Sequence, residues 1–291
     1  MHKWLGFMAH GWAWVAVLKV SLVVACLFGF LLSNGLPALN KALFFGEAPV
    51  WEVIWGHQRV WDALWPACAG TLLLVFVACL QAIPLGLASG IYLACFATPR
   101  FKRPLSMSVE LLAGTPSIIM GLFGFALILF LRKTILPQAN TSLLLAASCL
   151  ALLILPYLIF TTQAALESLS DDYQLIGPSL GLSRMQTVFH LLLPAAGRGI
   201  LGGIVLAVGR ASEDTAVIML TGVIANAGMP EGLLSKFEAL PFRIFYLAAE
   251  YQTPAQLNSA YGTALVLICV TGLLYSSAYA LHKAMEWRWN K

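Results

Sequence analysis

The sequence predicts an all-α integral membrane protein, a bundle of six transmembrane helices. Three observations carry this: 60% of the 291 residues are hydrophobic, only 10% are charged, and six apolar stretches are long enough to cross a bilayer. A soluble domain is about 45–50% apolar and ~25% charged. A mean hydropathy of +0.83 leaves more apolar surface than polar residues can cover, and lipid is the solvent that accepts it.

A crossing helix needs ~20 mostly apolar residues. The stretches run roughly Trp12–Leu32, Ala67–Ala97, Leu105–Leu131, Leu143–Phe160, Ile200–Leu220 and Tyr261–Leu281. The second is too long for a perpendicular crossing, so it tilts, kinks at Pro84 or emerges from the membrane. The first resembles a signal peptide around Lys3 and Val23–Cys26, but its apolar run continues to Leu32 and more spans follow, so it is expected to be retained. Residues 1–66 then comprise this span and an external segment bearing Trp51, Trp55, Trp61 and Trp65. Residues 67–283 form the transmembrane domain and 284–291 a cytoplasmic tail. Residues 163–197 read as a long cytoplasmic loop, and 222–258 as an external one.

Lysine and arginine placement sets orientation. With both termini inside, nine basic residues face the cytoplasm (Lys3, Arg100, Lys102, Arg103, Arg184, Arg198, Lys283, Arg288, Lys291). Six face outward (Lys41, Arg59, Arg132, Lys133, Lys236, Arg243). Glu110 is expected to pair with the Arg100–Arg103 cluster near the inner surface.

Several function classes are excluded. No basic run is interleaved with aromatics, which argues against nucleic acid. The cysteines (Cys26, Cys68, Cys79, Cys95, Cys149, Cys269) lack metal-ligand spacing and read as small buried hydrophobes. No G-x4-G-K-[ST] phosphate cradle and no H-E-x-x-H pair occurs, so the chain is read as a non-enzyme that binds neither ATP nor metal.

The 163–197 segment is the most informative. Pro178 favours a helix start or turn, and Gly181 breaks the helical pattern. Val188, Leu191 and Leu192 then share one side of a short amphipathic helix that Pro194 is expected to end. This is a helix–turn–helix knob at the membrane surface. In span five, Arg210, Glu213 and Asp214 fall on one helical face, where Arg210 can pair with either acid. Charge within a span costs ~2.5–3.5 kcal/mol per residue and by default marks a pathway. The guanidinium fork suits an oxyanion; an ion pair that only holds helices together is the plainer reading. Gly114-Thr115-Pro116-Ser117 interrupts span three, either as a packing kink or to turn the Thr115 and Ser117 hydroxyls toward an anion. Glycines 197, 199, 202, 203 and 209 permit close helix approach and fit a helix at a dimer interface.

Gly181-x9-Leu191-x-Leu193-Pro194 resembles the coupling loop of binding-protein-dependent ABC importer permeases, whose pattern is EAA-x3-G-x9-I-x-LP. Leu175, Ile176 and Gly177 stand where Glu-Ala-Ala is usual. Four further segments occur in order: Pro84–Leu93, Ala113–Phe125, Leu201–Gly222 and Ala239–Ala248. Together they resemble the phosphate importer permeases, and among them the second, PstA-type subunit, over about residues 64–283. That family usually reads R-A-x-G-E-T-A where this chain has Arg210-Ala-Ser-Glu213-Asp214-Thr215-Ala, so glycine is replaced by Glu213 and glutamate by Asp214.

The resemblance implies a type I ABC importer permease bundle of the MetI-like kind in a bacterial cytoplasmic membrane. It implies a sister permease as heterodimer partner, two ATP-binding subunits that carry ATP and Mg, and an extracytoplasmic phosphate-binding protein. Arg210, Glu213, Asp214, Thr215, Thr115 and Ser117 would line the substrate pathway. Gly177, Gly181, Leu191, Leu193 and Pro194 would form the ATPase-coupling loop. Rival readings are a permease for tungstate, molybdate or sulfate, and, from another class, a secondary transporter or intramembrane enzyme.

Overall fold

The computed structural model describes residues 2–46, 48–54 and 63–289. In chain order its helices are α1 (His2–Gly35), α2 (Lys41–Phe45), α3 (Val50–Ile54), α4 (Trp65–Ile91), α5 (Pro99–Ala113), α6 (Ser117–Thr134) and α7 (Leu143–Glu167). They continue with α8 (Asp171–Ser179), α9 (Arg184–Thr187), α10 (Leu193–Glu213), α11 (Ala216–Thr221), α12 (Leu240–Glu250) and α13 (Pro254–Trp289). Among the described residues the only β contact is an isolated bridge between Val223 and Phe237. Among the described residues six helical runs are long and apolar enough to cross a membrane: His10–Ala38, Trp65–Phe96, Ser117–Thr134, Leu143–Glu167, Arg184–Glu213 and Pro254–Ala280. The protein is a multi-pass membrane bundle, as its composition predicts.

The centre of the bundle is α7. Leu143, Ala147, Leu150, Ile154 and Leu158 recur at helical spacing and are wholly buried. Helix α4 packs on one side of it because Gly86 and Gly90 leave room for Leu158 and Thr162. Helix α10 packs on another, with Gly199 against Ala165 and Gly203 against the Thr161 hydroxyl. With no apolar driving force between helices in lipid, this close backbone approach supplies the dispersion contact that holds them. Helix α1 lies along α13, where Phe30 meets Tyr261 edge-on at 5.5 Å.

At the far end, the chain after α11 folds over the start of α7. The Leu143 and Leu144 amides donate to the Ser235 and Leu233 carbonyls at 3.0 and 2.8 Å, and Ser142 Oγ accepts from Leu145 at 3.3 Å. These bonds satisfy helix-start donors that hydrocarbon could not. A buried ion pair, Arg243–Glu238 at 3.6 Å, ties α12 back to the residues before α4, because Arg243 also donates to the Ala63 carbonyl at 3.0 Å.

Several boundaries differ from expectation. The third stretch, Leu105–Leu131, is two helices: α5 carries basic residues and ends at Gly114, and the span proper begins at Ser117 after Pro116, which cannot donate into a helix. The fifth span runs Arg184–Glu213 rather than Ile200–Leu220. Pro194 does not end a helix; it stands in the first turn of α10. The wider π turn Val188–Leu192 precedes it, with the Leu193 amide reaching back to the Val188 carbonyl, and this shift in register accommodates the missing N–H. Most of 163–197 is therefore helix rather than loop, and α12 occupies part of the 222–258 segment. Glu110 forms no ion pair among the described residues; Lys102 of the basic cluster reaches Glu167 at 2.6 Å instead. Cys68, Cys79 and Cys149 are buried, whereas Cys26 and Cys269 lie on the outside of the bundle. Trp51 is exposed and Trp65 opens α4, while Trp55 and Trp61 lie outside the described residues.

Candidate functional site

The candidate site has two parts, at the start and the end of one helical run. At the start, α8 and α9 form the expected helix–turn–helix. The turn is a Schellman motif: the Leu182 amide donates to the Gly177 carbonyl and the Gly181 amide to the Pro178 carbonyl, both at 3.0 Å. Gly181 sits in the left-handed region at φ 74°, where a β-carbon is disfavoured. Ser183 then caps α9 in a capping box with Gln186. Gly177 is buried because α8 crosses α9 at Thr187, whose hydroxyl and methyl occupy the place of a side chain at 177. So Gly177, in the position of the second alanine of the importer pattern, has a steric role.

Val188, Leu192, Ala196 and Ile200 repeat every four residues and bury against Leu166, fastening the helix pair to α7. Leu191 and Leu193 flank that stripe half-buried, and Pro194 is half-buried beside them. Leu175 and Leu180 project outward, 66% and 68% exposed, so an apolar edge faces away from the bundle. A cavity of about 380 Å³ lies behind the pair, lined by Phe96, Glu167, Pro178, Leu182 and Arg184 among others. The side chains of Asp171 and Asp172 lie outside the described residues.

The second part lies where α10 ends. Arg210 Nη2 stands 3.6 Å from Asp214 Oδ2, with side-chain exposures of 45% and 3%. Asp214 is not on the helical face; its backbone is extended, and its Oδ1 accepts from the Val217 amide at 2.9 Å, capping α11. Glu213 remains on the helix and is exposed beside Arg210, and Thr215 is half-buried at the break. The pairs Gly199–Ala165 and Gly203–Thr161 fix an antiparallel register between α10 and α7. Carried on, it sets Arg210 level with Ile154, near the middle of the 25-residue α7. The arginine is therefore exposed on the flank of the bundle at mid-depth, a costly position unless water or protein faces it.

Gly121 of α6 packs against Ala216 and Val217, which brings the start of α6 toward the Asp214–Thr215 break. Ser117, one turn earlier, is half-buried. Thr115 is less suited to meeting an anion, because its hydroxyl proton is donated to the Leu111 carbonyl at 3.0 Å. Of the glycines, 199, 203 and 209 serve packing within this chain, against Ala165, Thr161 and Tyr275, whereas Gly202 faces open space. Sequence reasoning missed Tyr275 of α13, which lies in an ordinary apolar run. Its one signal was Gly209, whose missing side chain admits the phenol.

The fold and the site define a multi-pass membrane bundle with a charged group at mid-depth and an exposed helix pair at one end. Residues 82–291 match the family described as binding-protein-dependent transport system inner membrane component, and the chain belongs to that family. A probable phosphate transport system permease protein PstA of Methanocaldococcus jannaschii is 29% identical over 207 residues, 70% of each chain. Phosphate transport system permease protein PstA 1 of Mycobacterium tuberculosis is 31% identical over 215 residues, 73% of this chain and 68% of its own. In three dimensions the chain is similar to one from the inward-facing MetNI methionine ABC transporter. That match has a TM-score of 0.60 and 18% identity, covering 82% of this chain and 99% of the other, and it shows the MetI-like fold.

Proposed function

We propose that this chain is the PstA-type permease subunit of an ATP-driven importer of inorganic phosphate. The relatives' names supply the substrate, and the observation that carries the reading is Arg210, an exposed guanidinium level with the middle of α7 and anchored by a buried carboxylate. An anion passing along this flank exchanges hydrogen bonds with the guanidinium, while Asp214 holds the group in place when the path is empty. A sister permease would close the other side of the path, and a phosphate-binding protein would deliver solute from outside.

The sequence carries no G-x4-G-K-[ST] motif, and in this reading ATP and Mg are carried by two partner ATPase subunits. The α8–α9 pair is held by its Schellman turn and capping box and buried on one face, which suits it to pass their motion into the Arg184–Glu213 helix. Both termini and this pair would face the cytoplasm. Uptake of labelled phosphate by vesicles carrying the whole complex, with and without ATP, tests the function. Labelling of a Gly181→Cys variant from one side tests the orientation; modification from the outer side would overturn the coupling role. A second reading, transport of tungstate, molybdate or sulfate, rests only on the departure of Glu213-Asp214 from the Gly-Glu usual in phosphate permeases, and competition by these anions but not by phosphate would favour it.

A further inference from the structure

Glu213 has no counterpart in the charge balance of the site. Asp214 already neutralises Arg210 and caps α11, so neither task needs a second carboxylate. Glu213 is exposed on the same flank as Arg210 and forms no ion pair or hydrogen bond among the described residues. In the antiparallel register with α7 it lies level with Ala151, within about 6 Å of the middle of that helix at 1.5 Å per residue.

A second group converges on the same place from α13. The Tyr275 hydroxyl rests against Gly209, where any side chain would displace it, and Tyr275 lies within electrostatic reach of Glu213. The helices are pinned there by Ser212 and Thr271, whose hydroxyls meet at 3.3 Å one turn away. The phenol hydroxyl makes no hydrogen bond among the described residues and is half-exposed. Guanidinium, carboxylate and phenol thus border one stretch of the flank, contributing donors, an acceptor and a group able to do either.

We propose that Glu213, with Tyr275 beside it, makes the Arg210 site selective for oxyanions that carry a hydroxyl of their own, hydrogen phosphate over fully ionised anions such as sulfate. This rests on reading Arg210 as part of the pathway. A guanidinium alone accepts any tetrahedral oxyanion. An ionised carboxylate is an acceptor only: it takes the O–H of hydrogen phosphate, but it meets sulfate as two acceptors and two like charges with no proton between them. Specificity then arises from a repulsive element as much as an attractive one. At this depth, away from bulk water, the unpaired contact is more costly than at a surface. The Tyr275 hydroxyl donates to either anion and so adds affinity without discrimination.

The test is calorimetric titration of the purified, fully assembled complex with inorganic phosphate and with sulfate at neutral pH, the binding protein omitted so that its own preference does not intervene. The wild-type complex should favour phosphate by about 10–100-fold, the range expected when a site leaves one polar group unpaired against the poorer ligand. Glu213→Gln and Glu213→Gly should both collapse that ratio toward unity, and Tyr275→Phe should weaken both anions while leaving it intact. An unchanged ratio in both Glu213 variants, or no phosphate preference in the wild type, would overturn the selectivity. Phosphate binding undiminished in Arg210→Gln would instead remove the pathway reading on which it stands.

Discussion

Arg210 and Asp214 are joined at 3.6 Å, yet one side chain is half in the open and the other almost wholly enclosed. The pair is asymmetric in its consequences. Asp214 is held by the Val217 amide as well as by the guanidinium, so it serves the backbone; among the described residues Arg210 has only Asp214 behind it, with an exposed flank in front.

That asymmetry makes the two roles separable. Arg210→Gln strands a buried carboxylate; breaking a fully buried pair costs about 3–5 kcal/mol, and the exposure of Arg210 puts the loss below that range. Adding Asp214→Asn should restore much of the melting temperature. Uptake should stay down about 10–100-fold in both variants, as expected for loss of charge-assisted contacts to the anion. Recovery of transport with stability would reduce the pair to scaffolding.

The α8–α9 crossing should be intolerant of a methyl group. Gly177→Ala drives a β-carbon into Thr187, so ATP hydrolysis by the assembled complex should become uncoupled from uptake. Thr187→Ala in the same chain should restore part of the coupling, and failure of this rescue would indicate that Gly177 serves something other than packing.

Gly181 should respond to backbone conformation rather than to volume. Nothing lies within 4 Å of a β-carbon built there, but φ is 74°. Gly181→Ala should cost roughly 1–2 kcal/mol, and Gly181→Asn less, since asparagine tolerates the left-handed region. Thermal melts of the two purified complexes would rank them, and an equal effect would contradict the Schellman turn.

Gly203→Leu should separate α10 from α7 at Thr161. Overpacking costs about 1–3 kcal/mol, and here it would also displace Arg210, two turns on. Lower yield of assembled complex is expected, together with uptake falling further than yield. The Lys102–Glu167 contact, with both side chains about two-fifths exposed, should matter little. Lys102→Gln is expected to cost under about 1 kcal/mol and to leave uptake near wild type.

Much of the site was legible in advance because its signals are local. Gly181 announced a turn, which follows from backbone geometry within a few residues; the Arg210–Asp214 spacing of four announced a pair, and the pair forms although Asp214 has left the helix. The π turn before Pro194 was not legible. A proline reads as a stop, and only the burial of Val188, Leu192, Ala196 and Ile200 on one continuous stripe keeps the helix going through it. The break after Glu213 was also hidden, since the run 200–220 is apolar on both sides of Arg210–Thr215. Asp214 leaves the helix because its carboxylate can cap α11, a contact three residues ahead that competes with continued helix.

The sequence by itself determined that this chain lives in lipid, how many times it can cross, where Gly181 turns it and where its charges fall. Those properties come from apolar content and from steric rules that act over one or two helical turns. The tertiary structure decided which charge is enclosed and which is offered outward, and that Tyr275 of the last span stands beside Glu213 of the fifth. Such facts depend on the register in which helices far apart in the chain meet, and that register is set by glycines whose partners no local pattern names.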